Sequence, residues 1–298
     1  MRPILPPGGR GRKLLGRVGR PLPSGVRRWI ADALARWDYS REEHRIADRV
    51  KAEETESGSA DGIPIPPPLL RVRVTGAHAE RDVWLAEGAT DARLISAMLD
   101  RNGFPLDGMD ALLDFGCGCG RVARHWSKLN GPAIHGADTS RRAVRWCQRN
   151  LEFMRTVRCG PEPPLEYGDA AFDFVYALSV VTHLPEEDGR AWLRELVRIL
   201  KPGALLLFTV HGERFIHTLT AEDRDRFHRG EFVTAERPAV LAGTNAFAAF
   251  NPPGYVTEQL LPSLDVELVE AVYEDPVGGG LTPVPVQDNY LVRRRASG

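Results

Sequence analysis

The sequence lacks the features of a membrane-spanning or disulfide-stabilised protein. Its apolar runs are short: residues 204–208 form an uninterrupted run of strand length, whereas a membrane-spanning helix needs about 18 or more. Four cysteines in 298 residues are too few for a disulfide scaffold, and two of them lie close together in a glycine cluster. We therefore expect no integral membrane segment and a reducing, cytoplasmic location.

The sequence also lacks an excess of charge of either sign. Thirty-nine Lys and Arg residues stand against 40 Asp and Glu residues, which gives a formal net charge of −1. Because no global positive field exists to attract nucleic acid, we expect no nucleic-acid partner. Apolar residues make up 43% and charged residues 27% of the chain, values that are typical of a globular protein.

At about 150 residues per domain, the length predicts one large domain or two modest ones. We divide the chain into a basic N-terminal arm with an amphipathic helix (1–60), a linker with a pre-core helix (61–110) and a core (111–298). Clusters of Gly, Ser and Pro place the linker itself near residues 55–68. A cap is expected at about 211–262, because this irregular stretch is too long for a plain connection.

The N-terminal arm is strongly basic. Its first 28 residues carry eight Lys and Arg residues and no acid, and no continuous apolar segment follows, so we expect no secretory signal. An amphipathic helix is predicted from apolar residues at spacings of three and four, namely Trp29, Ile30, Ala33, Leu34 and Trp37. Three alternatives stay open for this segment: a lid or partner contact, a peripheral contact with anionic lipid, and a disordered extension.

Beyond residue 90, short apolar runs alternate with helical patterns. Such alternation is typical of βαβ units, so the predicted fold class is α/β: a doubly wound, Rossmann-like sheet with helices on both faces, an N-terminal helical extension and a cap inserted after the fifth strand. Strands are predicted at 111–115, 133–137, 174–178, 204–210, 266–273 and 289–293. We number the strand at 174–178 as the fourth and the strand at 204–210 as the fifth. Helices are predicted at 91–100 with Thr90 as N-cap, and at 121–129, 141–150 and 186–200.

A glycine-rich loop follows the first predicted strand of the core. Asp114 comes two residues before Gly116, and Gly118 and Gly120 continue the loop. Glycine permits a sharp turn between strand and helix and lets backbone N–H groups approach a ligand. The dinucleotide-binding pattern G-x-G-x-x-G would need one more glycine at the position of Arg121. The spacing therefore departs from the dinucleotide motif.

An acid followed by G-x-G-x-G resembles the first motif of the class I S-adenosylmethionine-dependent methyltransferases, of the bacterial small-molecule type. Three further segments are similar to later motifs of that family, in the same order: His-Gly-Ala-Asp-Thr-Ser at 135–140, Phe-Asp-Phe-Val-Tyr-Ala-Leu-Ser at 172–179 and Leu-Lys-Pro-Gly at 200–203. The resemblance covers about residues 84–212. It implies a methyltransferase whose cofactor is S-adenosyl-L-methionine.

The resemblance also implies a cofactor site. Asp114 would hold the methionine amino group and Asp138 the ribose hydroxyls, and the backbone of Leu178 would approach the methionine portion. The full implied set is Asp114, Phe115, Gly116, Cys117, Gly118, Gly120, Asp138, Thr139 and Leu178. Asp138 also has an alternative role as the N-cap of the helix at 141–150. The stretch 154–159 lacks the acid that often binds adenine in the family.

In such an enzyme the cofactor already activates the methyl group, so the protein mainly aligns the attacking atom. His183, after the fourth strand, is the candidate catalytic base for an acceptor hydroxyl, and its alternative is a structural hydrogen bond. His211, with Glu213 near it, is the second candidate. Cys117 and Cys119 have no second pair at ligand spacing, so we expect no metal.

The expected function is transfer of a methyl group from S-adenosylmethionine to an O or N atom of a small molecule, sugar or lipid-linked acceptor. The alternatives are an NAD(P)-dependent oxidoreductase on the same kind of sheet and a non-catalytic cofactor-binding module. Residues 243–255 combine aromatic, small and amide side chains. This composition fits either the wall of a substrate pocket or core packing.

Overall fold

A computed structural model describes residues 24–54, 59, 61–235, 239–273 and 287–296. Nine strands are present in this part of the chain: β1 (Ala111–Phe115), β2 (Ala133–Asp138), β3 (Met154–Arg158), β4 (Phe172–Ala177), β5 (Leu200–Val210), β6 (Val233–Thr234), β7 (Ala249–Phe250), β8 (Val266–Val272) and β9 (Asp288–Arg294). Seven of them form one sheet in the order β3-β2-β1-β4-β5-β9-β8, and β6 pairs with β7 in a small second sheet.

Six longer helices accompany the strands in the described ranges: α1 (Ser24–Glu53), α2 (Pro68–Thr75), α3 (Arg81–Arg101), α4 (Arg141–Asn150), α5 (Glu186–Ile199) and α6 (Ala221–His228). Short helical turns lie at Leu106–Gly108, Ala123–Trp126, Val181–His183, Glu213–Thr218, Ala239–Leu241, Pro253–Tyr255, Val256–Leu260 and Leu261–Ser263. Among the helices of these ranges, none combines the length and apolar character needed to cross a membrane.

The large sheet is doubly wound, as predicted. Strands β1 to β5 are parallel, with β2 and β4 on opposite sides of β1. β9 runs antiparallel to β5, and β8 runs antiparallel to β9. The direction of winding reverses between β1 and β4, and ligands of open α/β sheets bind at the carboxyl ends of the strands at such a point.

Both faces of the sheet are buried, because alternate residues of each strand enter separate hydrophobic clusters. Leu113 and Val175 belong to the cluster that α5 covers with Trp192. Leu112 and Phe174 belong to the opposite cluster, which α3 covers with Leu99. Burial on both faces explains why the central strands read as nearly continuous apolar runs. The predicted helices on both faces are confirmed.

Two predicted helices differ from the structure, one in its bounds and one because it does not form. The helix predicted at 91–100 begins ten residues earlier, at Arg81 of α3, so Thr90 lies inside it and is not an N-cap. The helix predicted at 121–129 is wrong, since only the 3₁₀ turn Ala123–Trp126 forms there. The glycine loop therefore opens into a tight turn and not into an α-helix. The helix predicted at 141–150 has the predicted bounds in α4.

The predicted N-terminal helix is present, but its packed face lies farther along than the apolar stripe that predicted it. Tyr39, Ile46 and Val50 of α1 are buried against Val72 of α2 and Leu241 between β6 and β7. The earlier stripe is largely outside this cluster. The second half of α1 thus joins the N-terminal segment to the chain that connects β5 and β8.

Residues 59 and 61 lie in the segment predicted as a linker, whose positions 55–58 and 60 are outside the described residues. The Asp61 carboxylate accepts two hydrogen bonds of 2.9 Å from the Arg124 guanidinium, whose side chain is only 1% exposed. The guanidinium carbon also lies 5.3 Å from the ring centre of buried Trp84. This ion pair fastens the segment before α2 to the 3₁₀ turn after β1. The division into domains stays a prediction.

Asp61→Asn should lower the free energy of unfolding at neutral pH by about 1–3 kcal/mol, because it leaves the buried guanidinium without its anionic partner. Burial raises the pKa of Asp61, but the hydrogen bonds from Arg124 and Ser59 lower it to about 2. The ordinary value in the unfolded chain is higher, so this stabilisation is present above about pH 4 and declines as the pH falls towards about 2. Urea unfolding at neutral and acidic pH measures the difference. If the variant were less stable than the wild type by the same amount at both pH values, the charge of Asp61 would not be the source of the stabilisation.

Candidate active site

A cavity of about 1440 Å³ opens at the carboxyl ends of β1, β2 and β4. It brings together most of the residues that the sequence predicted for the site. The predicted residues that line it are Asp114, Phe115, Gly116, Cys117, Gly118, Asp138, Thr139, Leu178 and His183. Gly120 does not line it, and a Cβ atom at Gly120 would lie 2.4 Å from a methyl carbon of Leu151. Gly120 is therefore part of the turn behind the cavity wall.

The glycine loop has a backbone that side chains would obstruct. Gly116 and Gly118 have φ angles of +78° and +52°, in the left-handed region that favours glycine. A Cβ atom at Gly116 would lie 2.4 Å from Val180 Cγ2, and one at Gly118 would lie 2.5 Å from Val74 Cγ2. Only glycine fits at both positions, so the bare backbone forms this part of the cavity wall.

The N–H groups of the loop are bonded within the protein. Those of Gly116 and Cys117 donate to the Ala137 carbonyl at 2.8 and 3.2 Å, and that of Gly118 donates to the Asp138 carboxylate at 2.8 Å. A pyrophosphate site needs such donors free and normally lies at a helix N-terminus. Neither condition holds here, which argues against the dinucleotide alternative.

Asp114, at the end of β1, is 5% exposed. Burial raises the pKa of its carboxyl to about 7, while the Tyr176 hydroxyl and the Arg121 guanidinium act in the opposite direction. Close to neutral pH, this group is therefore balanced between its neutral and charged forms. A cationic ligand group beside it would favour the carboxylate.

Asp138, at the end of β2, accepts hydrogen bonds from the N–H groups of Gly118 and Ser140 at 2.8 and 2.7 Å. Burial raises the pKa of its carboxyl. Each carboxylate oxygen can accept a second hydrogen bond, so the group has capacity left for ligand hydroxyls. The alternative role of Asp138 as side-chain N-cap of α4 is wrong, because Ser140 Oγ accepts from the N–H of Ala143.

One wall of the cavity comes from α3 and was missed in the sequence. Gly88 lies against the loop, and a Cβ atom there would lie 2.3 Å from the Arg121 carbonyl oxygen. This close approach brings Glu87 and Asp91 to the cavity, where Asp91 forms a 2.6 Å ion pair with Arg121. Burial raises the pKa of Glu87. A glycine in the middle of a helix was the available signal for this contact.

The exit of β4 is held in an uncommon conformation. Ser179 has a φ of +56°, which is costly for a residue with a side chain. Its N–H donates to Thr209 Oγ1 at 2.8 Å, and its hydroxyl donates to Gln287 Oε1 at 3.0 Å. All three residues line the cavity next to Leu178. Strain at such a position is typical of functional sites, and no periodic pattern in the sequence reveals it.

His183 lies in the turn after β4, where it joins that turn to the segment before β7. Its Nδ1 is 2.7 Å from the Phe247 carbonyl oxygen, and its own carbonyl accepts from the N–H of Gly243 at 2.7 Å. A carbonyl only accepts hydrogen bonds, so Nδ1 carries the proton and Nε2 has the free lone pair. Nε2 is enclosed and has no protein partner. Burial lowers the pKa of this imidazole, which keeps it neutral.

The second candidate base has a different environment. His211 does not line the cavity, and its Nδ1 lies 3.1 Å from the Ala249 carbonyl oxygen. Burial, with a smaller contribution from His183, lowers its pKa to about 3. The Glu213 carboxylate lies 3.2 Å from His228 Nε2. The His211 ring is edge-on to the His183 ring, with 6.1 Å between their centres, so His211 lies behind His183 and outside the cavity lining.

The segment 243–255 combines both of its predicted roles. Gly243, Thr244 and Asn245 line the cavity. Further along, Phe250 packs in the small cluster around β6 and β7, and Tyr255 packs in the main core. Only the first part is a cavity wall, because the chain turns inward at residue 246.

Comparison with known proteins places the core in a family. Residues 113–208, about a third of the chain, match a family model described as a methyltransferase domain. These residues include the glycine loop, both site acids and the turn after β4. Their match agrees with the order of motifs that suggested the family from the sequence.

Curated relatives match part of the chain. The 27-O-demethylrifamycin SV methyltransferase of Amycolatopsis mediterranei (strain S699) is 29% identical over 140 residues, 44% of this chain and 50% of that protein. The methyltransferase GfsG of Streptomyces halstedii is 31% identical over 100 residues, 32% and 35% of the two chains. The ajmaline N-methyltransferase of Rauvolfia serpentina is 30% identical over 108 residues, 35% and 36% of the two chains.

The match thus spans half or less of the length of these relatives. The family model covers residues 113–208, which contain most of strands β1 to β5, the glycine loop and the acids of β1 and β2. Residues 113–208 therefore form a methyltransferase domain, whose order of motifs is similar to that of the class I S-adenosylmethionine-dependent methyltransferases.

Proposed function

We propose that the protein transfers a methyl group from S-adenosylmethionine to an O or N atom of a small, largely apolar molecule. The observation that carries this proposal is the pair of acids, buried Asp114 and half-buried Asp138, on either side of a bare glycine backbone in one large cavity. Incubation of the full chain with methyl-labelled cofactor and a panel of hydroxyl and amine acceptors tests the reaction. Label in an extracted product is expected, and labelled cofactor left unchanged across the panel would count against it.

The residues of the cavity fit this cofactor. Asp114 suits the cationic amino group of the methionine portion, because a buried carboxyl gains most from a positive partner. Asp138 suits the ribose, because its oxygens can each accept one more hydrogen bond. Thr139, beside the predicted adenine position, borders the same cavity as Cys159. When bound, the cofactor supplies a methyl group that its sulfonium already activates.

The size of the cavity supports a second molecule beside the cofactor. Ligand pockets usually measure about 300–1,000 Å³, and this cavity measures about 1440 Å³. Away from the two acids its lining includes Leu94 and Met98 of α3, Leu207 of β5 and Val272 of β8. These side chains suit an acceptor with an apolar body, such as the small-molecule or lipid-linked classes.

The relatives support methyl transfer but do not indicate which atom of the acceptor receives the methyl group. One is named as the methyltransferase of a 27-O-demethyl compound and another as an N-methyltransferase. We propose O or N on the chemistry of the cavity, where the neutral imidazole of His183 is the candidate group to accept a proton from the attacking atom. All four cysteines are free thiols, which supports the prediction of a reducing, cytoplasmic compartment.

The affinity for S-adenosylhomocysteine should rise about tenfold between about pH 6 and about pH 8. Burial raises the pKa of Asp114 to about 7. Its carboxyl is therefore mainly neutral at the lower pH and mainly charged at the higher pH, where it attracts the ligand's amino group. Asp114→Asn should weaken binding and remove the pH dependence. Isothermal calorimetry at the two pH values measures both effects.

Asp288→Asn is the matched control for this prediction. Burial raises the pKa of Asp288 to about 7 as well, but Asp288 does not line the cavity. The control variant should therefore keep the pH dependence of the wild-type protein. A wild-type affinity that is the same at both pH values, or a dependence that survives in Asp114→Asn, would contradict the role of Asp114.

The catalytic role of His183 stays a prediction, and one substitution separates it from the structural alternative. His183→Asn keeps an amide donor near the position of Nδ1, so the bond to the Phe247 carbonyl can persist while the base is lost. We expect this variant to fold normally and kcat for a hydroxyl acceptor to fall by about 10²–10⁴-fold. The labelled-methyl assay and thermal unfolding provide the two readouts.

His211→Asn is its control, because His211 makes the same kind of bond to a carbonyl but lies outside the cavity lining. This variant should retain kcat. If His183→Asn also turned over at the wild-type rate, His183 would be a positioning residue that holds the segment before β7, and not a base.

A further inference from the structure

The first half of α1 presents an apolar face to solvent. Val26, Trp29, Ala33 and Trp37 follow one another at spacings of three and four, so they lie on one side of the helix. Trp29 is 71% exposed and Trp37 58% exposed. They are the two most exposed of the six large apolar side chains that are exposed in the described ranges. We call these four residues the tryptophan face.

The tryptophan face is flanked by positive charge. Exposed arginines on the first half of α1 are Arg27, Arg28 and Arg36, and Arg41 follows one turn later. The first half contains two acids, Asp32 and Asp38. The guanidinium carbon of Arg41 lies 5.4 Å from the centre of the Trp37 ring. The sequence before the helix, residues 1–23, adds five Arg, one Lys and no acid.

This combination selects one kind of partner. Indole rings are favoured at the boundary between water and apolar medium, where one end is apolar and the N–H stays wet. Arginines beside them attract anionic headgroups while their stems remain in the apolar layer. An amphipathic helix with both features lies in the plane of a membrane surface. The charge of the whole chain is close to zero, so the attraction is local to this end.

The same helix continues into the wall of the cavity. Tyr39, Ser40 and Glu43 of α1 line the cavity, and Tyr39 is two residues beyond Trp37. At 1.5 Å of rise per residue, the last tryptophan and the first cavity residue are about 3 Å apart along the helix axis. Two residues turn about 200° around a helix, so buried Tyr39 and the exposed tryptophan face lie on opposite sides of α1. A surface that held the tryptophan face would therefore be separated from the cavity by the thickness of this one helix.

We propose that the tryptophan face of α1 binds the surface of an anionic lipid bilayer, with α1 lying between that surface and the cavity. The binding requires no reaction and no cofactor, so it stands apart from the proposed methyl transfer.

Vesicle co-sedimentation with the full chain tests the proposal. Phosphatidylcholine vesicles with and without phosphatidylglycerol are the probes, at low and at physiological salt. The protein should sediment with the anionic vesicles at least about tenfold better than with the neutral ones, and salt should weaken this binding. Trp29→Ala with Trp37→Ala should reduce binding about tenfold, and Arg27→Glu with Arg28→Glu should do the same.

Tyr273→Ala is the matched control, since Tyr273 is an exposed aromatic residue, 41% exposed, on the far edge of the sheet. It should bind vesicles as the wild type does. Calorimetry with S-adenosylhomocysteine on every variant separates a folding defect from a loss of lipid binding, because the substituted residues lie outside the cavity lining. Unchanged cofactor binding is expected.

Three results would overturn the proposal. One is equal sedimentation with neutral and anionic vesicles, or none with either. Another is wild-type binding by the tryptophan or arginine variants, which would assign any attraction to residues 1–23. The third is a dimer in light scattering that the tryptophan substitutions dissociate, combined with no vesicle binding, which would assign the face to a second copy of the chain.

Discussion

The hydrogen bond from the Gly118 N–H to the Asp138 carboxylate ties the loop after β1 to the end of β2, and the cofactor side of the site depends on it. The register of the parallel strands makes the bond available, because Phe115 of β1 pairs with Ala137 of β2. The Ala137 carbonyl then takes the next two loop N–H groups, those of Gly116 and Cys117. Because these three N–H groups are bonded within the protein, they are not free to bind a phosphate. A ligand instead meets the bare glycine backbone and the carboxyls of Asp114 and Asp138. One local bonding pattern thus distinguishes a methyl-donor site from a dinucleotide site on a similar sheet.

The same arrangement leaves Asp114 in an unusual electrostatic state. A buried carboxyl without a full ionic partner is costly to charge, and its pKa rises. The Arg121 guanidinium does not relieve this cost fully, because its ion pair is with Asp91. Without a cationic ligand beside it, the charged form of the Asp114 carboxyl is therefore unfavourable. A ligand with a positive group stabilises that charged form. Binding and ionisation are coupled at a position that the strand order fixes.

Much of the core could be predicted from the sequence because local pattern and final structure agree there. The apolar runs of β1, β4 and β5 and the Ser140-capped helix α4 are determined by burial on both faces and by a local cap. The helix predicted at 121–129 is wrong. Only a 3₁₀ turn forms there, and its Arg124 turns inward to pair with Asp61. A helical pattern cannot anticipate a partner 63 residues away.

In the site, too, the residues of a local motif could be predicted from the sequence, and contacts between distant segments could not. Residues in one continuous motif, such as Asp114 and Gly118, line the cavity where the family resemblance placed them. Contacts between distant segments were beyond the sequence: the carbonyl that fixes the tautomer of His183 belongs to Phe247, and α3 reaches the loop through Gly88. The acceptor side of the cavity is built mostly from such contacts. This is why the cofactor followed from the sequence and the acceptor did not.

The cavity is built for S-adenosylmethionine and not for a nicotinamide dinucleotide. Isothermal calorimetry of the purified full chain with S-adenosylmethionine, S-adenosylhomocysteine and NADH distinguishes the two cofactors. We expect the first two to bind with one molecule per chain and NADH to produce no binding heat. Binding of NADH alone, or of none of the three, would contradict this cofactor assignment.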